Sequence, residues 1–214
     1  MIRVLAFIRR RADVSRDAFR CHYEEVHVPT ALPTLGGVVH YVRQHIREEI
    51  FGAPGFDCMT SFEYRDAAAV RAAFERIEGP QGDAIRRDEL RFMDKPANRW
   101  LVVEPAPGGS GPAPDDGGTQ LLVCASAPAG RDAQAFRAAF AGEPLRRLRE
   151  ALGAGRPCRA QLAREASAGA PLFDAVVQLG GSETSGLSAW VRELEATGAA
   201  VLAARVSVHA TPLG

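Results

Sequence analysis

The sequence has no excess of charge of either sign and no long apolar run. Lysine and arginine together number 26, as do aspartate and glutamate, so the formal net charge is zero. A neutral chain has no general attraction to nucleic acid or to an anionic membrane. No apolar run reaches the roughly 20 residues of a membrane span, and the apolar stretch at the N-terminus is too short for a signal-peptide core. We therefore expect a cytoplasmic protein that binds neither nucleic acid nor membrane.

Cysteine is scarce, and the common cofactor and metal motifs are absent from the sequence. The four cysteines are scattered without CxxC or His/Cys ligand spacing, which argues against disulfides and structural zinc. The sequence lacks GxGxxG, a P-loop, GxSxG and HExxH. His22 and His27 are five residues apart, which differs from the i, i+4 spacing of a helical metal pair. We expect no cofactor and no metal.

What the sequence does contain is a repeat with an offset of 117 residues, the interval from Phe19 to Phe136. At the same offset, Phe56-Asp57 recurs as Phe173-Asp174, and Leu35-Gly36 recurs as Leu152-Gly153. Four of the five histidines lie between His22 and His45. The repeat predicts two domains, and the uneven distribution of histidine places any site in the first of them.

Each half has the element order β-α-β-β-α-β, which is the ferredoxin-like split unit. In the first half, β-rich runs predict strands over 3–9, 38–46, 56–64 and 99–104, and two amphipathic patterns predict helices. Ser15 and Asp66 are the predicted N-caps of these helices. Residues 105–118 contain Pro, Gly, Ser and Asp without large apolar side chains and predict a flexible linker. The predicted domains are therefore 1–104 and 119–214.

A four-stranded sheet with two helices on one face leaves its other face bare. Because an exposed apolar face of that size is a liability, we expect the two units to pack sheet to sheet as an intramolecular dimeric α+β barrel. The linker would hold the second copy at an effective concentration of about millimolar, so pairing needs no partner chain. Further homo-oligomerisation stays open.

The first half resembles the EthD family within the dimeric α/β-barrel superfamily. The residues that carry the resemblance, which spans roughly residues 3–104, are Phe7-Ile8-Arg9-Arg10, Ser15, Phe19, His22-Tyr23, His27, Pro29, His40-Tyr41-Val42, Phe56-Asp57, Asp88-Glu89, Phe92 and Asp94. The second half resembles the family in outline only, and Pro144, Ala139 and Cys158 stand where the first half has His27, His22 and Tyr41. We therefore regard the chain as a tandem fusion with a degenerate second copy.

The resemblance implies an α+β barrel with cofactor-independent chemistry or small-molecule binding. Activities in the family include lactone isomerases and enzymes resembling polyketide dehydratases, decarboxylases or cyclases. Some relatives of this barrel bind haem, which makes His27 a conceivable axial ligand.

His27 and Tyr41 are the candidate catalytic residues. His27 is predicted at the end of the first helix, where it could move a proton near neutral pH and where the helix C-terminus favours its protonated form. The alternative is a histidine that only caps the last carbonyls. Tyr41, in mid-strand, could donate a hydrogen bond to an enolate or carbonyl oxygen, or it could simply pack in the sheet.

The predicted substrate-binding residues are His22, Tyr23, Arg43 and Asp88. His22 and Tyr23 lie on the predicted buried stripe of the first helix, where core residues are the alternative. Arg43 and His45 share the sheet face of Tyr41 by alternation, and Arg43 could bind an anionic or phenolic substrate. For His45 we favour a solvated strand end. Asp88 could form a site wall or a supporting partner, with surface charge as the alternative.

Two further residues are predicted to be structural. Asp57 recurs as Asp174 in the half that has lost its histidines, which favours a role such as turn capping. Cys58 follows Asp57 and is predicted to be a buried, inert thiol.

These predictions favour a cofactor-independent enzyme that acts by proton transfer on a small aromatic, polyketide-like or lactone substrate. It would be an isomerase, a cyclase or a dehydratase-type lyase, and its partner would be a small hydrophobic or phenolic molecule. Two alternatives stay open. One is a non-catalytic accessory protein that binds a small molecule, and the other is a cofactor-free monooxygenase of the related barrel type.

Overall fold

The chain divides into two compact units. A computed structural model describes residues 1–110, 118–153, 155–167, 171–211 and 213. The first unit comprises Met1–His45, Gly55–Trp100 and Ala210–Gly214, and the second comprises Ile46–Pro54 and Leu101–His209. The predicted domain boundaries at 104 and 119 stay predictions.

The first half of the chain follows the predicted order of elements. Its strands and helices are β1 (Ile2–Ile8), α1 (Arg16–His22), α2 (Val28–Ala31), β2 (Val38–Phe51), β3 (Cys58–Tyr64), α3 (Ala67–Glu78), α4 (Asp83–Phe92) and β4 (Arg99–Ser110). Ser15 and Asp66 cap their helices as expected, because the side chain of Ser15 accepts a hydrogen bond from Ala18 N and that of Asp66 from Ala69 N.

The first helix does not end at His27, contrary to the sequence prediction. A π-helical turn, Tyr23–His27, follows α1 and leads directly into α2, with Pro29 in its first turn. Pro29 has no N–H, and its ring would clash with the carbonyl of Glu25 in a regular α-helix. The wider turn, in which Val28 N–H donates to Tyr23 O, lets the helix continue. It also changes which residues are buried, since Val26 is 42% exposed and His27 is 5% exposed.

The sheet of the first unit has β3 at its centre, paired antiparallel with β1 and with β2. The pairs His45–Cys58, Arg43–Thr60 and Tyr41–Phe62 are in register. Alternate residues of a strand point to the same face. One face of this sheet therefore carries the predicted row of β2 side chains together with their β3 partners.

The second unit is built around an apolar core. Its elements are β5 (Thr119–Ser126), α5 (Ala133–Phe140), α6 (Glu143–Leu152), β6 (Cys158–Ala166), β7 (Ala175–Gly180), α7 (Leu187–Glu195) and β8 (Ala200–Thr211). The strands pair antiparallel in the order β8-β5-β7-β6-β4. The helix α6 was not predicted, although Pro144 lies in its first turn and Leu145, Leu148 and Leu152 line its buried face.

The strand β4 includes the first part of the predicted linker. Pro105 pairs with Gln161 of β6, and Ala106 is buried. A strand is held by backbone hydrogen bonds, so this stretch joins the sheet without large apolar side chains. Residues 111–117 of the predicted linker lie outside the described residues.

The fold is mixed α+β with an antiparallel eight-stranded barrel, in the strand order β1-β3-β2-β8-β5-β7-β6-β4. The barrel class expected from the sequence is thus confirmed. The description of the chain as two tandem ferredoxin-like units stays a prediction. No helix in the described part of the chain is long and apolar enough to cross a membrane.

Candidate active site

The predicted site residues lie between the helices and the sheet of the first unit. Tyr23, on the π-helical turn, shares a hydrogen bond with Thr60 of β3, with the two side-chain oxygens 2.9 Å apart. Its ring meets that of His45 edge to face, with centroids 5.4 Å apart. The face of β2 that carries Tyr41, Arg43 and His45 is therefore the face that the helices cover.

Asp88 joins the two histidines of the first helical segment. Its Oδ1 lies 2.8 Å from Nε2 of His22, and its Oδ2 lies 3.0 Å from Nδ1 of His27. An ionised carboxylate only accepts hydrogen bonds, so both imidazoles donate to it. This fixes the tautomer of His27 with the proton on Nδ1 and leaves the lone pair on Nε2. The side chain of His22 is 25% exposed, whereas those of His27 and Asp88 are buried.

Burial sets the protonation state of His27. It lowers the pKa of His27 below the ordinary value, and the hydrogen bond to Asp88 offsets only part of this effect. We expected a helix C-terminus to favour the protonated form. That expectation is wrong, because the helix continues past His27 and the ring is enclosed. A neutral imidazole whose second nitrogen is held by a carboxylate has the properties of a general base.

Two aromatic rings, those of Tyr23 and Phe92, pack against the buried ring of His27. The centroids of the Tyr23 and Phe92 rings lie 5.0 Å and 5.3 Å from that of His27. Phe92 also contacts Phe19 and His22, at 5.4 Å and 4.5 Å. Such an enclosure strengthens the electrostatic interactions inside it because water is excluded.

A second cluster centres on Glu24, which no sequence pattern predicted. Its carboxylate accepts hydrogen bonds from Arg43, Nη2 to Oε2 at 2.6 Å and Nε to Oε1 at 3.2 Å. His45 Nε2 lies 2.6 Å from the same Oε1. Although burial raises the pKa of Glu24, the hydrogen bonds from His45 and Arg43 outweigh it and lower that pKa to about 2. The available signal was the presence of two basic side chains on one buried strand face, which require a carboxylate opposite them.

His45 is not the solvated strand end that we expected, since it is only 2% exposed. The helices cover this part of β2, which the strand pattern could not reveal. Burial lowers the pKa of His45, but Cys58 and the hydrogen bond to Glu24 outweigh it, giving a pKa of about 9. Cys58 is fully buried, as predicted.

Arg43 uses its donors within the protein. Besides its bonds to Glu24, Nη1 donates to Tyr41 O at 3.2 Å and to Thr211 Oγ1 at 2.7 Å. Its guanidinium carbon lies 4.5 Å from the centroid of the Tyr41 ring. Four of the five N–H groups of Arg43 thus donate to partners within the protein. The geometry favours a role in holding Tyr41 and Glu24.

Tyr41 is buried between Arg43 and Phe62, whose ring stacks on it at 5.0 Å. Burial raises the pKa of Tyr41, and the nearby Arg43 lowers it by less. The phenol is therefore protonated at neutral pH and can donate a hydrogen bond. Burial also raises the pKa of Tyr23.

The second half has apolar side chains at the positions that match this cluster. At the offset of 117 residues, the counterparts of Tyr23, Glu24, Arg43, His45, Cys58 and Thr60 are Phe140, Ala141, Ala160, Leu162, Ala175 and Val177. All but the partly buried Ala141 are buried members of the apolar core of that unit, and Ala141 packs against it. The same frame is therefore stable without these polar groups.

Asp57 and Asp174, by contrast, make equivalent contacts. Arg10 N donates to Asp57 Oδ2 at 3.0 Å, and Ala127 N, at the matching position, donates to Asp174 Oδ2 at 2.8 Å. An arginine side chain also binds each aspartate. The predicted structural role of Asp57 is thus confirmed.

The donor set does not fit a metal centre held by three or more side chains. Among the residues that the structure describes, no group of three His, Cys, Asp or Glu side chains could hold a metal ion.

The sequence that builds this site is similar to a known domain. Residues 11–96 match the EthD domain. The match confirms the resemblance seen in the sequence, and the matched residues include both histidines of the first helical segment, Glu24 and Asp88. No curated protein has a significantly similar sequence.

Solved structures share the fold of the whole chain at low sequence identity. A candidate monooxygenase from Fusobacterium nucleatum subsp. nucleatum matches with a TM-score of 0.55 and 10% identity, covering 100% of this chain and 94% of that one. An anthrone oxidase-like protein matches with a TM-score of 0.54 and 11% identity, covering 100% of this chain and 95% of that one. A candidate chlorite dismutase matches with a TM-score of 0.50 and 10% identity, covering 96% of this chain and 95% of that one. At these identities the similarity shows the barrel fold alone.

Proposed function

We propose that the EthD domain is a cofactor-independent enzyme that removes a proton from a small enolisable substrate, with His27 as the general base. The observation that carries the proposal is the bond between His27 Nδ1 and Asp88, at 3.0 Å in a buried site. A carboxylate that orients a neutral imidazole is the arrangement that proton abstraction requires. Asp88 is then a positioning residue rather than a substrate-binding one.

Tyr41 is the proposed partner for the negative charge that develops on the substrate oxygen. A protonated, buried phenol beside a fixed cation is a preorganised hydrogen-bond donor. Removing the C–H proton of a phenolic ketone or a lactone gives an enolate, whose oxygen would accept from Tyr41. His22 and Tyr23 would form the walls. The substrate class is a small aromatic, polyketide-like or lactone molecule, and the reaction is an isomerisation, a cyclisation or a dehydration.

Two alternatives lead to different measurements. A cofactor-free monooxygenase would use the same proton abstraction and then react the carbanion with oxygen, and the names of the anthrone oxidase-like and candidate monooxygenase neighbours favour this variant. A binding protein without activity would need no base. The pairing of His27 with a carboxylate instead of a backbone carbonyl counts against that alternative.

Anthrone, a ketone whose enol tautomer is a phenol, is a suitable first probe. An unsaturated five-membered lactone is the second. In deuterated buffer under argon, mass spectrometry follows the exchange of the activated C–H, and an oxygen electrode follows uptake in air. We expect exchange that His27→Ala slows by about 100-fold or more. His40→Gln is the control, because this histidine of β2 is adjacent to Tyr41 and points to the opposite face of the sheet. Undiminished exchange in His27→Ala would refute the proposal, and oxygen uptake would identify the monooxygenase variant.

We also propose that residues 119–214 serve as a structural partner to residues 1–104, as two fused ferredoxin-like copies. The support is the apolar replacement of the site positions in the second copy. Expression of residues 1–104 alone tests this, because a soluble, monomeric fragment would show that the first copy needs no partner.

A further inference from the structure

Three side chains of the π-helical turn anchor it to different parts of the first unit. Tyr23 shares a hydrogen bond with Thr60 of β3, and His27 is bonded to Asp88 of α4. Between them, Glu24 is held by two residues of β2 through three hydrogen bonds of 2.6 Å to 3.2 Å. The charged anchor is thus on the same turn as the proposed base, three residues before it.

The orientation of His27 depends on this turn staying wide. A π-helical turn holds one residue more than an α-helical turn, and each residue rotates the helix by about 100°. If the turn relaxed to an α-helix, His27 and Glu24 could not both keep their present directions. Pro29 disfavours the regular turn but does not determine which side chain faces Asp88.

We propose that Glu24 is a positioning residue for His27, which it aims at Asp88 by clamping the π-helical turn to Arg43 and His45 of β2. The inference rests on the proposed function for its catalytic meaning. The geometric claim, that the bonds of Glu24 to Arg43 and His45 hold the His27 ring in place, does not depend on the proposed function.

The second half supplies an internal comparison. The positions that match the clamp hold Ala141, Ala160 and Leu162. There the helix does not widen and continue, since α5 ends at Phe140 and α6 starts at Glu143 after Gly142. Within the described residues 140–144, the second half therefore lacks both the π-helical turn and the charged side chains that clamp it in the first half.

The test compares Glu24→Gln with Glu25→Gln in the full chain. Glu25 is exposed on the same turn, so its substitution makes the same charge change outside the clamp. Nitrogen-15 NMR of the histidine rings reports the tautomer and titration of His27, and deuterium exchange of anthrone reports activity. For Glu24→Gln we expect loss of the fixed Nδ1–H tautomer of His27 and exchange that is about 10- to 100-fold slower. Glu25→Gln should change neither.

A folded Glu24→Gln protein with unaltered His27 signals would overturn the proposal. If that variant does not fold, His45→Gln, which keeps a side-chain N–H donor but removes the charge, replaces it under the same criterion. If wild type exchanges neither probe, the activity is refuted for those substrates. The NMR comparison still decides whether Glu24 holds His27.

Discussion

The buried ion cluster around Glu24 makes a quantitative prediction about stability and pH. The folded pKa of Glu24 is about 2, against an ordinary value of 4.5. A carboxyl whose pKa is depressed by folding contributes stability that is present above its unfolded pKa and is lost as the pH falls through its folded pKa. The full shift corresponds to about 3 kcal/mol, of which roughly 2 kcal/mol is lost between about pH 6 and about pH 3. The side chain is 16% exposed, and solvent screening reduces this to about 1–2 kcal/mol.

The substitution that isolates this contribution is Glu24→Gln. At about pH 6 it leaves two buried cations without their counter-charge, which we expect to cost about 3 kcal/mol. As the pH falls to about 3, wild type loses part of the stability that Glu24 contributes, and the variant has none to lose. The difference in unfolding free energy should therefore narrow by about 1–2 kcal/mol.

At alkaline pH the stability contributed by the cluster changes with pH in the opposite direction. His45 has a folded pKa of about 9, raised from its ordinary 6.5. The stability that His45 contributes is fully present below its ordinary pKa of 6.5 and is lost as the pH rises through about 9. Without the Glu24 charge, the stability of the variant should depend less on pH in this range.

Urea unfolding, followed by tryptophan fluorescence and circular dichroism, measures both effects, with Glu25→Gln as the control. Parallel pH dependences for wild type and Glu24→Gln would refute the reasoning, because they would mean that the carboxylate gains nothing from its buried partners. A control variant that behaves like Glu24→Gln would also refute it, since a change in net charge alone would then explain the result.

Three further predictions concern the proposed base and its partner. Asp88→Asn removes the carboxylate from His27 and should slow anthrone exchange by about 100-fold while the circular dichroism spectrum is unchanged. Tyr41→Phe keeps the ring but loses the donor, and we expect exchange to slow by about 10- to 100-fold with little change in anthrone binding, measured by fluorescence titration. Because burial lowers the pKa of His27, the exchange rate should stay constant as the pH falls through 6.5 and decrease only at lower pH, which a pH–rate profile tests. A rate that falls already above 6.5, or variants with the wild-type rate, would contradict these expectations.

Local signals in the sequence predicted the frame well. The caps Ser15 and Asp66 are set by a side-chain hydrogen bond to a residue three positions later, and this needs no tertiary information. The strand alternation that groups Tyr41 with Arg43 is also local. Both features were therefore visible in the sequence, and the structure contains them.

The parts that could not be predicted depend on contacts between elements. The π-helical turn is invisible to a period of 3.6 residues, which therefore does not show that Glu24 faces Arg43 and His45 of β2. The burial of His45 depends on the helices that cover β2. The missed helix α6 has a different cause, because its apolar spacing is present in the sequence and Pro144 was read only as a replacement for His27.

The two halves show that one frame can be packed in two ways. A buried cluster of ions gives little net stability over well-packed apolar side chains, because removing charges from water costs about as much as their attraction returns. Ala160 and Leu162 show that apolar side chains fit where Arg43 and His45 lie in the first half. Stability of the fold therefore does not explain why the first half contains the ionic cluster. A role in positioning other side chains would explain it, and Glu24 lies on the same π-helical turn as His27, three residues before it.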